Sequence, residues 1–551
     1  MQTAYRCIIW ALCLPLALFG QDTGQLVSRA EKAWAAGRYL EAAENFERAG
    51  RLQTDRPILL NKAAEAYYLA RNYEKAADCY RPLRQYSDRY PLTGLRYARA
   101  LKQSGRYPEA REAFRHYLSA YKGEYQSTVE TVVALEIQGC DWALQQANDT
   151  LTNPSFLTAI PLPTPEKAKG NAFAPIAFSS EVLYFSFNVE GQNFASLWRI
   201  NRPSADWAAP IPASGLPAEA GRNFSSGAFS PDGQRYYCVQ CLDAQLPENA
   251  VSKSPADRLN CKILALRKTE NGWTNPEPLR DYVNWPGSTN LAPAIVHENG
   301  QELLFFASNR PGGYGGLDLY VCERPLAADD FDFSLPRNLG ALVNTAGDET
   351  TPFFDSAAQT LFFSSNGWLS MGGYDVFRSR RDAQTWGPTE NMGLPWNSPA
   401  DDLWYVPGPE GHRGYLSSNR RTSADQSTLY DRIFEIAPEQ TRLFLSGEVI
   451  DENGTLLPGC LIGLYEQSPD GEIQLVQLQS AADGRFRFRL LPGSTYAVEA
   501  SREGYRTARA TLGQPNRTPE GYALTLLLRR LATPAPPAQV PAEDKGGEKA
   551  P

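Results

Sequence analysis

Three cysteines form the one local cluster in this sequence whose residue types could support metal, redox or cross-linking chemistry. Cys238 and Cys241 are separated by two residues, and Cys261 follows them. A zinc site would need a fourth ligand, for which His297 is the nearest histidine in sequence. Thioredoxin-type redox chemistry would need a βαβ context, which the flanking sequence lacks. A structural disulfide across a hairpin is the simpler alternative, with Cys261 paired to Cys238 or Cys241.

The other candidate chemical groups have no partner at a useful spacing. The three histidines, His116, His297 and His412, fall in a helix, a turn and a loop. No nucleophile elbow, metalloprotease helix, phosphate-binding loop or EF-hand loop is present. Four aspartates recur at similar positions, and we expect them to be structural: Asp318, Asp375, Asp402 and Asp431. We therefore predict no catalytic residue, no cofactor and no metal, in a chain that is not an enzyme.

The elements that position these residues follow from a repeated stretch. Leu303–Tyr320 recurs as Leu361–Phe377, each with an apolar strand, a Ser-Asn ending, a glycine-rich reversal and an Asp that opens a second strand. We expect the glycines to supply the positive φ of the turn and Asp to cap backbone amides. Four such strands per unit, in five units, predict a five-bladed β-propeller over residues 154–438. The segment Phe156–Ile160 would supply the last strand and close the ring.

Before the predicted propeller, residues 25–147 show a helical repeat. Tyr39, Tyr73 and Tyr107 recur every 34 residues, and small and aromatic residues follow each of them at fixed distances. Gly37 and Gly105 precede two of these tyrosines, whereas the middle repeat has Arg71. This pattern resembles the tetratricopeptide repeat and implies an all-α tetratricopeptide superhelix, with a degenerate fourth unit at residues 128–147.

Tetratricopeptide repeats usually bind partner segments along a concave groove. Matching the chain to the family pattern places on that groove Trp34, Asn61, Glu65, Tyr68, Arg99, Lys102 and Gln103. We expect Arg99 and Lys102 to face water and to attract a partner that carries carboxylates. In the alternative interpretation the repeats are a spacer and these side chains are merely solvated.

The two ends of the chain complete the domain organisation. Residues 1–20 read as a secretory signal peptide, with Arg6 before a short apolar run; Leu12 is too large for the lipobox that Cys13 would need. Residues 441–530 resemble the carboxypeptidase regulatory-like domain, a seven-stranded β-sandwich of transthyretin type. Residues 531–551 form a Pro/Ala-rich, charged tail that we expect to be disordered.

The motif Phe229-Ser-Pro-Asp-Gly233 is similar to the WD40-like Pro-Asp propeller repeats of TolB. The order signal peptide, helical repeats, propeller and regulatory-like sandwich resembles Bacteroidetes cell-envelope proteins of PorE-like, OmpA-family architecture. The sequence lacks the OmpA-like domain with which they usually end, so peptidoglycan binding is not supported. The resemblance implies a non-enzymatic scaffold, periplasmic and associated with the outer membrane, that binds protein partners in an envelope or type IX secretion assembly.

The alternative function is a glycan-binding or glycan-cleaving propeller, with a sugar site lined by Trp285, Trp368 and Trp396. An acidic pair that converges at the ring would favour cleavage, whereas a filled ring would favour the scaffold. The net charge of −8 argues against nucleic acid as a partner. No apolar run beyond the leader is long enough to span a membrane.

Overall fold

The computed structural model describes most of the chain between residues 23 and 531. The described residues are 23–86, 89–152, 157–165, 169–190, 195–203, 207–213, 224–243, 259–328, 330–383, 385–409, 411, 413–422, 428–438, 443–468, 471–479, 483–490, 495–512, 517–518 and 521–531. The predicted signal peptide, residues 532–551 of the predicted tail and His412 lie outside them. The chain divides into two compact units, residues 1–438 and 439–551.

The first unit begins with α-helices whose successive members contact each other. They are α1 (23–35), α2 (Tyr39–Leu52), α3 (Pro57–Leu69), α4 (Tyr73–Tyr80), α5 (Thr93–Gln103), α6 (Tyr107–Ala120) and α7 (Gln126–Thr152), with a 3₁₀ turn at Arg81–Tyr86. The repeated small residues Ala42, Ala76 and Ala110 are fully buried where neighbouring helices meet. The 34-residue spacing is thus a repeat of helix packing.

The predicted all-α tetratricopeptide superhelix is wrong. The described residues contain seven α-helices, all before residue 153, and the rest of the first unit is built from β-sheets. A superhelix needs an extended stack of helix pairs with an open concave face. Here α7 runs unbroken where a fourth pair was expected at residues 128–147. The helices pack against the β-sheets that follow them in the chain.

Five antiparallel sheets follow the helices, and we number these blades in chain order. The first contains β2 (Gly170–Ser179), β3 (Val182–Val189), β4 (Ala195–Asn201) and β5 (Ile211–Pro212); the second, β6 (Phe224–Phe229), β7 (Arg235–Asp243), β8 (Leu259–Thr269), β9 (Gly272–Trp273) and β10 (Glu277–Pro278); the third, β11 (Asn290–Glu298), β12 (Gln301–Ser308), β13 (Asp318–Pro325) and β14 (Arg337–Asn338). The fourth contains β15 (Glu349–Asp355), β16 (Thr360–Ser365), β17 (Asp375–Asp382), β18 (Thr385–Trp386) and β19 (Glu390–Asn391); the fifth, β20 (Asp402–Pro407), β21 (Gly414–Ser418), β22 (Arg432–Pro438) and β1 (Leu157–Pro161).

The blades form a closed ring of the β-propeller kind. The first strands of successive blades contact each other all the way round, and β20 of the fifth blade meets β2 of the first. Strand β1 pairs antiparallel with β22, from Leu157 opposite Pro438 to Pro161 opposite Phe434. The start of the sheet region therefore completes its last blade, which removes a free edge.

Each innermost strand carries a β-bulge. Every first strand has a register shift that spans a non-glycine residue with positive φ: Ala174, Ser226, Ala292, Thr351 and Trp404. Strand β2 has a second shift, between Ala177 and Ser179. A left-handed residue costs roughly 1–2 kcal/mol, and five copies indicate a requirement of the ring. Pro175, Pro293 and Pro352 follow the bulge residue and lie inside their strands.

A repeated pair of hydrogen bonds from an asparagine side chain holds the third strand in three blades. Asn284 accepts a hydrogen bond from Ile263 N at 2.8 Å and donates to Ile263 O at 2.9 Å. Asn344 makes the same pair of bonds with Leu319, and Asn397 with Val376. All three asparagines are buried after a fourth strand. Each asparagine side chain therefore bonds the N–H and the C=O of one residue in its third strand, as a neighbouring strand would.

The second unit is a β-sandwich with its own hydrophobic core. One sheet has the order β26 (Arg485–Leu490), β23 (Leu443–Ile450), β30 (Gly521–Leu527) and β29 (Arg517–Thr518); the other, β25 (Gly471–Gln479), β24 (Leu461–Ser468), β27 (Thr495–Ser501) and β28 (Ala508–Thr511). Strands β23 and β30 are parallel, and the other pairs are antiparallel. Eight strands are thus described where seven were expected.

Candidate functional site

The ring has two distinguishable sides. Because successive strands are antiparallel, the loops from second to third strands and from fourth strands to the next blade share one side, which we call the loop face. The tight turns occupy the opposite side, the hairpin face. The helices pack on the loop face within the same compact unit. Lys102 Nζ donates to Ser370 Oγ at 3.1 Å, and Thr428 Oγ1 donates to the carbonyl of Arg71 at 2.5 Å.

Three aspartates from different parts of the ring line up on the loop face. Asp348 and Asp401 immediately precede the first strands of the fourth and fifth blades, and Asp431 precedes β22. Tyr374 links two of them: its hydroxyl donates to Asp348 Oδ2 at 3.0 Å and its N–H to Asp401 Oδ1 at 3.2 Å. The backbone N–H of Ala172, in the first blade, donates to the Asp431 carbonyl at 2.9 Å. The three aspartates therefore lie on the loop face of the fourth and fifth blades.

The turn between α3 and α4 reaches two of these aspartates. The Arg71 guanidinium donates to Asp431, and its Nε lies 3.9 Å from Asp401 Oδ2. The Tyr73 hydroxyl donates to Asp401 Oδ2 at 3.0 Å. Burial raises the pKa of Asp401, although the charge of Arg71 opposes this. Two carboxyl groups from different loops of the fifth blade thus share one guanidinium.

The recurring aspartates at the third strands have capping contacts. Asp318 accepts from the backbone N–H groups of Tyr314 (2.6 Å) and Gly315 (3.2 Å), and Asp375 from those of Met371 (2.7 Å) and Gly372 (3.3 Å). Both side chains are buried. Of the other two, Asp402 is buried against Arg420, whereas Asp431 belongs to the acidic group above.

Most residues of the predicted partner groove are engaged inside the first unit. Lys102 is only 3% exposed, and its ammonium donates to Glu136 Oε2 at 2.7 Å. Arg99 donates to Glu136 Oε1 at 2.7 Å, and Gln103 is buried near Gly373. The expectation that Arg99 and Lys102 both face water is therefore wrong for Lys102. Helix α7 and the ring close this end of the groove.

The remaining groove residues lie among the helices. Trp34 packs edge-on against Tyr39 and Phe46. Asn61 donates to Glu65, which also pairs with Arg96. Tyr68 packs against Tyr73 with ring centroids 5.3 Å apart.

The structure joins Cys241 and Cys261 in a disulfide. These residues face each other on the neighbouring strands β7 and β8, where the register pairs them directly. Cys238 is a buried thiol three residues before Cys241 on the same strand. Within the described part of the chain, no group of three or more His, Cys, Asp or Glu side chains could hold a metal ion.

The three tryptophans of the predicted sugar site do not form one surface. Trp285 is 46% exposed on the loop face. Trp368 donates from Nε1 to the Val343 carbonyl at 3.0 Å and packs on the core of the third and fourth blades. Trp396 packs against Tyr405 in another core cluster.

A different aromatic cluster lies on the hairpin face of the first and second blades. We call it the aromatic platform, and its members are Phe178, Tyr184, Phe229, Tyr236 and Trp273. Phe229 is central, with ring centroids 5.8 Å from Phe178, 5.6 Å from Tyr184, 4.7 Å from Tyr236 and 6.0 Å from Trp273. Phe178 is 54% exposed, Tyr236 is buried and the others are partly exposed. The sequence held a signal for it, because Phe178 and Phe229 end equivalent first strands.

Comparison with known families matches residues 445–526 to the carboxypeptidase regulatory-like domain, which confirms that prediction for the C-terminal part. It gives no support for a tetratricopeptide, PorE-like or OmpA-like architecture. A comparison with curated proteins finds no match. In the part of the chain that the structure describes, no helix is both long and apolar enough to cross a membrane.

Solved structures resemble the chain only at low similarity. An α-L-arabinofuranosidase from Podospora anserina has 11% identity and a TM-score of 0.33, covering 51% of this chain and 96% of its own. A xylan β-1,4-xylosidase from Bacillus halodurans C-125 has 10% identity and a TM-score of 0.33, covering 64% and 90%. A 3-chlorocatechol 1,2-dioxygenase from Rhodococcus opacus 1CP has 14% identity and a TM-score of 0.14, and the match spans 17% of this chain and 61% of that enzyme.

The prediction that the chain is not an enzyme is withdrawn, since the structures that it resembles include an α-L-arabinofuranosidase and a xylan β-1,4-xylosidase. Similarity at this level assigns no activity to this chain. Its function has to follow from its own residues.

Proposed function

We propose that this protein binds a glycan through the aromatic platform on the hairpin face of its ring. The observation that carries the proposal is the contiguous set of five rings around Phe229, partly open to solvent and held in place by mutual packing. Aromatic faces pack on the apolar C–H faces of sugar rings, and a preorganised surface loses little entropy on binding. The Tyr184 hydroxyl and the Trp273 indole N–H are the polar groups for sugar hydroxyls.

The setting of this glycan belongs to the same proposal. A cleaved signal peptide would deliver the chain to the periplasm, where it would associate with the outer membrane and with protein partners of the envelope. Polysaccharides of the envelope or its surroundings are the ligand class that such a location offers.

Binding can be tested with immobilised and soluble polysaccharides, using arabinan, xylan and peptidoglycan glycan strands as probes. Phe178→Ala removes the most exposed ring and Tyr184→Ala a ring with a polar group. We expect the double variant to bind the recognised polysaccharide at least about tenfold more weakly, a loss of about 1.4 kcal/mol. Trp285→Ala is the matched control, because it removes an exposed aromatic from the loop face. Equal weakening by the control, or no weakening by the double variant, would contradict the proposal.

Glycan cleavage is a second candidate function, favoured by the two carboxyl groups that share Arg71. Hydrolysis of a glycosidic bond uses one carboxylic acid to protonate the leaving oxygen and one carboxylate as base or nucleophile. Asp401, whose pKa burial raises, would be the acid, and Asp431 the carboxylate. Asp401→Asn and Asp431→Asn should each abolish release of reducing sugar from the same polysaccharides. Unchanged release in both variants would exclude this pair.

A further inference from the structure

Residue 71 departs from its repeat in a way that costs conformational energy. Gly37 and Gly105 occupy the equivalent turns with φ of 72° and 76°, and Arg71 adopts φ 60°. Left-handed φ is disfavoured for a residue with a Cβ atom, and glycine avoids that penalty. The middle turn therefore keeps the glycine conformation but carries a long cationic side chain.

The contacts of this turn indicate what the side chain is for. The Arg71 guanidinium bonds Asp431 and lies beside Asp401. The backbone carbonyl of Arg71 accepts a hydrogen bond from Thr428 Oγ1. Glu74, at the start of α4, pairs with Arg421 at 2.7 Å. The arginines of the other two turns bond within their own helices, Arg38 to Glu41 and Arg106 to Glu109. Among these three turns, the middle one alone presents its guanidinium to the ring.

We propose that Asp401 and Asp431 form a guanidinium-binding site on the loop face, that Arg71 is its internal ligand, and that the α3–α4 turn thereby covers the site. Planar guanidinium groups suit paired carboxylates because their N–H groups form a fork. Asp401 is 9% exposed and Asp431 7% exposed with the turn in place. The regulatory consequence rests on the second candidate function: the cover would have to leave before a glycan could reach the two carboxyl groups.

Arg71→Gly tests the site directly, because glycine is the residue that the other two turns use. The variant keeps the turn conformation and removes the guanidinium. We expect its melting temperature to fall by several degrees, since two buried carboxyl groups lose their cation. Millimolar methylguanidinium chloride should restore part of the loss relative to sodium chloride at equal ionic strength, and should not raise the melting temperature of the wild type. Arg106→Ala, which removes the arginine of the neighbouring turn, is the control and should show no methylguanidinium response.

The cover is tested by hydrogen exchange of the backbone around residues 68–76. Exchange should be faster in Arg71→Gly and also in Asp431→Asn, which keeps the arginine but removes its main partner. A melting temperature of Arg71→Gly that is unchanged, or that falls without a selective methylguanidinium response, would overturn the binding site. Unchanged exchange in Asp431→Asn would overturn the cover. A selective response without any sugar release by either protein would leave the site standing and count against cleavage alone.

Discussion

Glu349 and Asp375 are carboxyl groups that the ring buries, and no ion pair to either appears in the described part of the chain. Glu349 accepts hydrogen bonds from the Thr345 N–H at 2.7 Å and from the hydroxyls of Thr345 and Ser365, each at 2.6 Å. These bonds favour the carboxylate, but burial outweighs them and raises the pKa of Glu349 to about 7. Burial raises the pKa of Asp375 to about 7 as well. Both groups therefore take up protons near neutral pH.

This gives a pH dependence of stability with a definite sign. The folded protein holds a proton on Glu349 that the unfolded chain releases at its lower pKa. The stabilisation of the folded state by this bound proton is fully present below the unfolded pKa and is lost as the pH rises through about 7. The loss for Glu349 is roughly 3 kcal/mol. Melting temperatures from pH 4 to 8 should thus fall less steeply in Glu349→Gln than in the wild type. Identical slopes would show that Glu349 does not titrate in this range.

Lys102 is buried in an ion pair with Glu136, so reversing its charge should destabilise the fold; at a solvent-facing groove the same change would leave the fold intact. Burial disfavours ionised Glu136, but the charges of Lys102 and Arg99 outweigh it and lower the pKa of Glu136 to about 2. Lys102→Glu would place two carboxylates in one buried site and should destabilise the first unit by about 3–5 kcal/mol. Arg99→Glu should cost less, since Arg99 is 40% exposed. A Lys102→Glu melting curve that matches the wild type would contradict the buried ion pair.

At the scale of elements, the glycines of the repeated stretch act differently from the expectation. Of the glycines in Gly312–Gly316 and Gly372–Gly373, Gly312 alone has positive φ. The others permit neighbouring loops to touch: a Cβ on Gly315 would lie 2.3 Å from the Thr345 carbonyl oxygen, and one on Gly372 would lie 2.2 Å from that of Pro399. The glycine-rich run is therefore a contact surface between consecutive loops on the loop face.

Gly372→Ala should accordingly destabilise the ring more than a substitution that only strains a turn. Gly233→Ala is the matched comparison, because Gly233 has φ 68° but open space around its Cβ position. We expect a cost of about 1–2 kcal/mol for Gly233→Ala. Gly372→Ala must in addition separate two backbone segments and should exceed this cost. Equal melting temperatures for the two variants would show that close approach is unimportant.

The longer strands could be predicted from sequence because they are largely apolar, short and bounded by turn residues. The bulges could not, because left-handed Ala174, Ala292 and Trp404 have no local signature. The buried asparagines that bond the third strands, Asn284, Asn344 and Asn397, recur in the sequence. An asparagine in a turn more often bonds its own backbone, so their role could not be predicted. The aromatic platform required knowledge of which strands are neighbours in space.

At the scale of the whole molecule, the helices show the limit of a periodic pattern. A spacing of 34 residues describes how one helix pair packs on the next, and the buried alanines bear this out. The spacing does not predict how many helix pairs follow or which part of the chain packs on their concave side. That part is the loop face of the ring. Lys102 and Arg71 bond to it through Ser370 and Asp431, which are far from them in sequence. Single charged residues in a helical repeat carry no mark of such contacts.

The ring is closed by a strand that comes from the opposite end of the sheet region in sequence. Strand β1 (Leu157–Pro161) lies between the helices and the first blade in sequence, but it pairs with β22 of the fifth blade. Replacing its five residues with glycine and serine keeps the length of the connection and removes the apolar strand. This exposes the edge of β22, so we expect the melting temperature of the full chain to fall by at least about 5 °C and aggregation on heating to increase. Replacement of 532–536 by the same residues is the control. If both proteins melt like the wild type, β1 does not hold the ring closed.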